Sequence, residues 1–180
     1  MQILKVATDW AKAELFSTPF FVLFGLLFLI ASVGFWQLGK TEIAKAYILP
    51  TLVAGSLLII IGVGLFFTNK SRITAFEVAY QKDEKAFIQS EIIRCDATLQ
   101  EYQTVVFKII PVIIIISALL IIFIDTPTFR AISITTIAML IVILLIDGTA
   151  HSRIDNYKKQ LLKIENKSLF KGNTNCNSKV

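Results

Sequence analysis

Apolar and polar positions divide the chain into four long apolar windows separated by charged segments. The windows are 19–38, 47–67, 109–124 and 131–146, and none of them contains a charged residue. Each is close to the roughly 20 residues with which an α-helix crosses a hydrocarbon core of about 30 Å. The third reaches that length if it begins at Val105 and Lys108 extends its ammonium group to the interface.

This pattern predicts four transmembrane helices in two hairpins, residues 17–67 and 105–149. Composition supports the prediction, because 55% of the residues are hydrophobic, the mean hydropathy is +0.70 and only 17% are charged. Soluble domains average about 25% charged residues. A soluble core built from these windows would need far more polar residues to cover it. The expected fold is an all-α polytopic membrane protein.

The first segment, residues 1–16, has the pattern of an amphipathic helix. Its polar residues share one arc of a helical wheel, and Glu14 is the one misfit within the apolar arc. Such a helix is expected to lie in the membrane interface with Trp10 at the depth of the headgroups. Ser17 and Thr18 are then expected to cap a new helix that begins at Pro19.

Two further segments have helical stripes of apolar residues and predict a cytoplasmic helical bundle. Residues 68–104 contain no Gly or Pro and form a helical hairpin that turns near 81–85, while residues 150–171 form an amphipathic helix. Polar, turn-prone residues 172–180 are expected to be disordered. The residues predicted to form the bundle are Ile88, Ile92, Leu99, Tyr102, Ile154, Tyr157, Leu161 and Ile164.

The distribution of basic residues predicts the orientation of the chain. Fifteen of the eighteen lysines and arginines lie before the first window, between the second and third, or after the fourth. The positive-inside rule therefore places both termini in the cytoplasm. The frequent use of isoleucine, lysine and asparagine favours the inner (plasma) membrane of a bacterium.

The tripeptide Ser-Arg-Ile follows the second and the fourth window, at 71–73 and 152–154, 81 residues apart. Arg72 and Arg153 are expected to bind the phosphates of lipid headgroups, with anionic lipids as partners. The same shift aligns the two hairpins and raises the possibility of a tandem repeat. Chance, together with a shared need for arginine at the interface, explains the match equally well.

Small residues recur on one face of each of the first two windows. Because small side chains let helix backbones approach closely, the two faces are expected to pack against each other. A subunit interface is the alternative. The residues are Gly25, Ser32, Gly39, Gly55 and Gly62.

The fourth window contains a polar stripe with leucines at its centre. In an oligomer such a stripe could line a pore with a hydrophobic constriction. Ordinary interfacial residues and hydroxyls bonded to backbone carbonyls explain the same pattern. The residues are Ser133, Thr136, Leu140, Leu144, Asp147 and His151.

Residues with catalytic chemistry are scarce. No ionisable residue lies near the middle of a window, which disfavours an ion-coupled transporter. One histidine and no Cys-x-x-Cys motif disfavour a metal site, and no catalytic or cofactor-binding constellation is visible. We therefore expect neither enzymatic activity, nor a cofactor, nor a nucleic-acid partner.

The sequence as a whole predicts a homo-oligomeric channel or membrane-perturbing effector with a cytoplasmic region for assembly or sensing. The alternative is an accessory, scaffold or immunity-type subunit that docks on a membrane or cytoplasmic protein partner. Oligomeric state distinguishes the two, because a channel should purify as a closed ring and an accessory subunit should not.

Overall fold

Helices form nearly all of the computed structural model, which describes the backbone of residues 2–176 and the side chains of residues 2–167. No strand occurs in this part of the chain. A π-helical segment, Tyr102–Ile109, joins the fourth and fifth α-helices. The α-helices are α1 Gln2–Leu38, α2 Glu42–Ala46, α3 Ile48–Lys82, α4 Glu84–Glu101, α5 Ile110–Phe123 and α6 Pro127–Cys176.

Four helical stretches are long and apolar enough to cross a membrane. Each covers one of the four apolar windows, apart from Ile124 at the end of the third, and continues beyond it on at least one side. This confirms the prediction of an all-α chain with four such helices. The stretches are Gln2–Leu38, Glu42–Lys82, Glu84–Phe123 and Pro127–Lys167.

α1 continues through Pro19, where the sequence predicted a new helix to begin. Proline has no N–H, so the carbonyl oxygen of Leu15 loses its usual helical donor. The hydroxyl of Thr18 donates a 2.8 Å hydrogen bond to that oxygen instead. The predicted cap at Ser17 and Thr18 is therefore wrong, and residues 2–16 belong to the same helix as the first window.

The polar ends of the long helices pack into one bundle, which we call the polar bundle. It consists of the first part of α1, the last part of α3, all of α4 and the last part of α6. All eight residues predicted to form a bundle belong to its core or pack against it. The buried core residues are Ile3, Ala7, Trp10, Ala11, Phe76, Phe87, Ile88, Cys95, Ile154, Tyr157 and Leu161.

The first part of α1 is a member of this bundle, where the sequence predicted a separate helix lying in the membrane interface. Trp10 is 8% exposed and stacks on Tyr157, with ring centroids 5.1 Å apart and planes 9° apart. An amphipathic helix buries its apolar face equally well against lipid or against other helices. Here α6 provides part of the apolar surface against which this part of α1 packs.

The chain reverses between α3 and α4 at Asp83, inside the segment where the turn was predicted. Asp83 has an extended backbone, and its carboxylate accepts a 3.0 Å hydrogen bond from the N–H of Ala86, which caps α4. The rings of Phe76 and Phe87 meet edge to face across the turn. Farther along α4, Asp96 forms an ion pair with Lys158 of α6.

Close packing of α1 against α3 forms the first hairpin. A Cβ added to Gly55 would lie 2.7 Å from the carbonyl oxygen of Gly25, and one added to Gly62 would lie 2.9 Å from Phe21. Ser32 donates a 2.8 Å hydrogen bond to the carbonyl oxygen of Ile48. The small residues at these four predicted positions therefore lie at the contact between the two helices.

Gly39 is the exception among the predicted packing residues, because it lies just beyond the end of α1. Its N–H donates a 3.0 Å hydrogen bond to the carbonyl oxygen of Phe35. A Cβ at this position would lie 2.2 Å from that same oxygen. The absence of a side chain at Gly39 therefore allows the close turn at the end of α1, and Gly39 does not contribute to the contact with α3.

The second hairpin is built differently, since α5 packs on α6 and not on α3. The π-helical segment lies just before Pro111, whose ring clashes with an α-helical carbonyl one turn earlier. Among the described residues, no close backbone contact joins α3 to the π-helical segment or to α5. A crevice therefore separates these elements. The different packing of the hairpins leaves the proposed tandem repeat a prediction.

α6 is a single helix of 50 residues. It continues to Cys176, into the segment 172–180 that the sequence predicted to be disordered. Glycine and asparagine weaken a helix without ending it, and no proline follows the fourth window in this helix. Residues 177–180 of the predicted tail lie outside the described part of the chain.

The contact between α1 and α3 gives a test with an internal control. Gly55→Ala should lower the apparent melting temperature of the detergent-solubilised protein, because the added methyl group collides with the backbone of Gly25. Overpacking of this kind costs about 1–3 kcal/mol. Gly64→Ala, in the same helix with no atom within 4 Å of the added Cβ, is the control. Thermal unfolding is monitored by circular dichroism. Equal melting temperatures for the two variants would contradict the contact between α1 and α3.

Candidate functional site

Charged side chains gather where the polar bundle meets the apolar windows, and Arg94 and Glu91 form the first of two ion pairs there. The guanidinium of Arg94 binds both carboxylate oxygens of Glu91, with N···O distances of 3.0 and 2.6 Å. Glu91 also accepts a 2.8 Å hydrogen bond from the hydroxyl of Tyr157. Burial beside Glu91 raises the pKa of this tyrosine. The three side chains thereby join α4 to α6.

Trp10 lies between this network and α3. One face of its indole stacks on Tyr157, and the guanidinium of Arg94 lies 4.5 Å from the centre of its ring. Arg72 of α3 lies farther away, at 5.9 Å. Cation–π contacts of this kind are strongest on tryptophan and when water is excluded. Trp10 therefore brings side chains from α3, α4 and α6 to the same level of the structure.

The second ion pair joins α1 to α6. Arg153 donates to Glu14 through Nε at 3.0 Å and to the hydroxyl of Ser17 through Nη2 at 2.7 Å. The carboxylate of Glu14 is mostly buried. Glu14 is the residue that did not fit the helical wheel, and its partner lies 139 residues away in the sequence. The position of Glu14 within the apolar arc of the helical wheel was thus the one feature of the sequence that indicated this ion pair.

Arg72 and Asp147 differ from these charges because neither takes part in an ion pair within the described side chains. Arg72 donates a 3.2 Å hydrogen bond to the amide oxygen of Asn69. Partial burial, and then the positive charge of Arg94, lower the pKa of Arg72. Asp147 is half-buried on α6, and its carboxylate accepts no hydrogen bond from the other described residues.

Arg72, Asp147 and several neighbouring residues line a cavity of about 560 Å³ between α1, α3, α6 and the α4–π-helical stretch. We call it the junction cavity. Its volume lies within the range of about 300–1,000 Å³ that is typical of small-molecule sites. The charged and amide side chains of its lining form a polar end. They are Glu14, Asn69, Arg72, Arg94, Glu101 and Asp147.

The opposite end of the junction cavity is apolar and extends into the windows. On α3 the lining continues from Arg72 to Ile61, which spans about 16 Å at the rise of an α-helix. The crevice between α3 and the π-helical segment opens this end sideways, where Ile61, Leu65 and Val105 are exposed. The residues of the apolar end are Phe21, Ile61, Leu65, Val105, Val106 and Ile143.

The predicted pore stripe on α6 is partly enclosed by the chain. Ser133 is 2% exposed and Leu140 is 7% exposed, whereas Thr136 and Leu144 are half-buried. Ser133 and Leu140 are therefore enclosed by the chain's own helices. Of the polar members near the bundle, only Asp147 lines the junction cavity.

His151, the last member of the stripe, packs against the aromatic rings of the π-helical segment. Its ring lies 5.9 Å from that of Tyr102 and 5.1 Å from that of Phe107, both edge to face. No ion pair between Asp147 and His151 is present among the described side chains. His151 therefore packs α6 against the π-helical segment.

The two arginines of the Ser-Arg-Ile sites do lie at one level of the structure, where the windows end. Their guanidinium groups, however, have intramolecular partners: Arg153 binds Glu14, and Arg72 contacts Asn69 and Trp10. Arg153 is thus held within the chain, whereas Arg72 faces the junction cavity. The binding of lipid phosphates by these residues remains a prediction.

The same level of the structure contains residues that the sequence analysis did not select. Glu91 lies three residues after Ile88 and four before Cys95, within the apolar stripe of α4. An acidic residue inside such a stripe indicates a buried polar contact.

No group of three or more histidine, cysteine or acidic side chains suited to a metal occurs among the described residues.

Comparison of the chain with protein-family models, with curated proteins and with solved structures finds no match. The class of this protein therefore follows from its own features: four helices long and apolar enough to cross a membrane.

The ion pair of Glu91 and Arg94 can be compared with a matched surface pair. Glu91→Gln should destabilise the protein by about 2–3 kcal/mol, because it removes one partner of a largely buried, charged hydrogen-bond network. The control is Glu42→Gln, which breaks the exposed pair with Lys45 at the same helical spacing. Thermal unfolding in detergent should show a lower melting temperature for Glu91→Gln alone. Equal effects of the two substitutions would mean that the network contributes no more than a surface ion pair.

Proposed function

We propose that this chain is a non-enzymatic, multi-pass membrane protein that binds an amphiphilic molecule from the bilayer in the junction cavity. One observation supports the proposal above all others: a single cavity is charged at one end, apolar at the other and open sideways between α3 and the π-helical segment. An amphiphile has the same division into a polar head and an apolar tail. A lateral opening lets such a molecule enter without leaving the hydrocarbon.

The proposed position in the membrane agrees with this assignment. If the apolar windows span the bilayer, the charged level of Glu14, Arg72 and Asp147 lies at the depth of the headgroups. The positive-inside rule then places the polar bundle and both termini on the cytoplasmic side of the inner membrane. The polar end of the cavity would face the cytoplasm, and its apolar end would face the acyl chains.

Binding in this cavity would connect the membrane to the polar bundle. Its lining belongs to four helical walls, and Trp10, Arg94 and Ile154 take part in the bundle and in the lining alike. A ligand alters a conformational equilibrium by its differential affinity for the two states. The proposed role of the polar bundle is therefore to change its conformational equilibrium when a ligand occupies the cavity.

The homo-oligomeric channel and the accessory subunit remain untested predictions. Ser133 and Leu140, which were expected to line a pore between copies, are buried within one chain. They could line such a pore only if the helices rearranged. A role as an accessory subunit is compatible with ligand binding, since a bundle that responds to the ligand could pass the signal to a protein partner.

The proposal can be tested by filling the cavity. Ala150 lines it and is 4% exposed, so Ala150→Phe should occupy part of the volume that a ligand needs. A mixture of phosphatidylethanolamine and phosphatidylglycerol should raise the melting temperature of the delipidated wild type in a saturable way, because a ligand of the native state stabilises it. The increase should be lost in Ala150→Phe.

The control is Ala97→Phe, which adds the same side chain at an exposed position of α4. The comparison uses the change caused by lipid, so a difference in initial stability does not affect it. Val106→Phe, which fills the cavity from the π-helical segment, repeats the test from another wall. An equal increase in all four proteins would show that lipid acts on the outer surface and would refute the proposed site.

A further inference from the structure

We infer that the amphiphile bound in the junction cavity is zwitterionic: a phospholipid whose head carries both a phosphate and a primary ammonium group. This inference rests on the proposed function. The juxtaposition that carries it is a cation, Arg72, and a carboxylate, Asp147, on two different walls of the polar end, with neither in an ion pair among the described side chains.

The other charges at the polar end are already neutralised or face water. Glu14 is paired with Arg153, and Arg94 is paired with Glu91. Glu101 is exposed at the rim. Within the cavity this leaves one positive and one negative group that a ligand can satisfy.

The geometry of each group fits one part of such a head. The guanidinium of Arg72 uses one N–H on Asn69 and retains further donors, which suit phosphate oxygens. The carboxylate of Asp147 accepts hydrogen bonds from an ammonium group. Tyr102 lines the same cavity as Arg72 and Asp147, and its hydroxyl has no hydrogen-bond partner in the described part of the chain.

A ligand with a single kind of charge fits less well. An anionic lipid would pair with Arg72, cover Asp147 and leave its carboxylate without a partner, which is unfavourable. A quaternary ammonium group brings a positive charge but no N–H to donate to Asp147. A headgroup that carries both charges, with protons on its nitrogen, provides a partner for the guanidinium of Arg72 and for the carboxylate of Asp147.

The apolar end of the cavity indicates that the source is a lipid and not a soluble molecule with the same head. Phe21, Val106 and Ile143 line a space that continues about 16 Å from the level of Arg72 into the windows. Free phosphoethanolamine would leave this space unfilled. A lipid that enters from the bilayer fills it with an acyl chain, which stays in apolar surroundings throughout.

The test is competitive retention of lipids, measured by native mass spectrometry on the full-length protein in detergent. Phosphatidylethanolamine, phosphatidylcholine and phosphatidylglycerol with identical acyl chains are supplied in equal amounts. The wild type should retain phosphatidylethanolamine about tenfold or more over each of the others, as expected when one charged hydrogen bond distinguishes the ligands. Excess phosphoethanolamine without acyl chains should not displace it.

Two substitutions test the contributions of Arg72 and Asp147 to lipid binding separately. Arg72→Gln should reduce the retention of all three lipids, since each carries a phosphate. Asp147→Asn should abolish the preference for phosphatidylethanolamine over phosphatidylglycerol while leaving total retention similar. The matched controls, Lys70→Gln on α3 and Asp155→Asn on α6, change charges that do not line the cavity and should behave as the wild type.

Each contrary outcome has a distinct meaning. Equal retention of the three lipids, or a preference for phosphatidylglycerol, would overturn the zwitterionic ligand while leaving amphiphile binding intact. Displacement by free phosphoethanolamine would overturn the lipid source. If Ala150→Phe retains phosphatidylethanolamine as the wild type does, binding lies elsewhere and the proposed function fails with it.

Discussion

The direct contact between the backbones of α1 and α3 is the constraint on which the rest of the structure depends. At Gly25 and Gly55 the two helices approach so closely that neither position has room for a Cβ. This contact holds α3 against α1, while α5 packs against α6. The two hairpins therefore leave a crevice between α3 and the π-helical segment, and the junction cavity opens through it.

Charges at the junction give the cavity its chemistry. The ion pair Glu14–Arg153 joins α1 to α6, whereas Glu91–Arg94 lies within α4 and is linked to α6 by Tyr157. In each pair the two charges neutralise each other. Half-buried charges require such partners, because desolvation without compensation costs several kcal/mol. Arg72 and Asp147 are exceptions to this rule, and groups of this kind in a cavity are characteristic of binding sites. The account of function depends on these two residues.

Sequence patterns predicted the apolar helices, the turn near Asp83 and the contact at Gly55, because each follows from local composition or spacing. The position of the first sixteen residues could not be predicted, since an amphipathic helix has the same wheel pattern at an interface and in a bundle. The junction cavity could not be predicted from the sequence either. It depends on pairings such as Glu14 with Arg153, across 139 residues, and a single sequence contains no direct record of which distant residues meet.

The most direct test of the account is an experimental density map of the chain in nanodiscs that contain phosphatidylethanolamine and phosphatidylglycerol. The account predicts an elongated non-protein density in the junction cavity, with its head between Arg72 and Asp147 and its tail leaving between α3 and the π-helical segment. A map in which α3 packs directly against α5, closing the crevice and leaving no cavity, would contradict it.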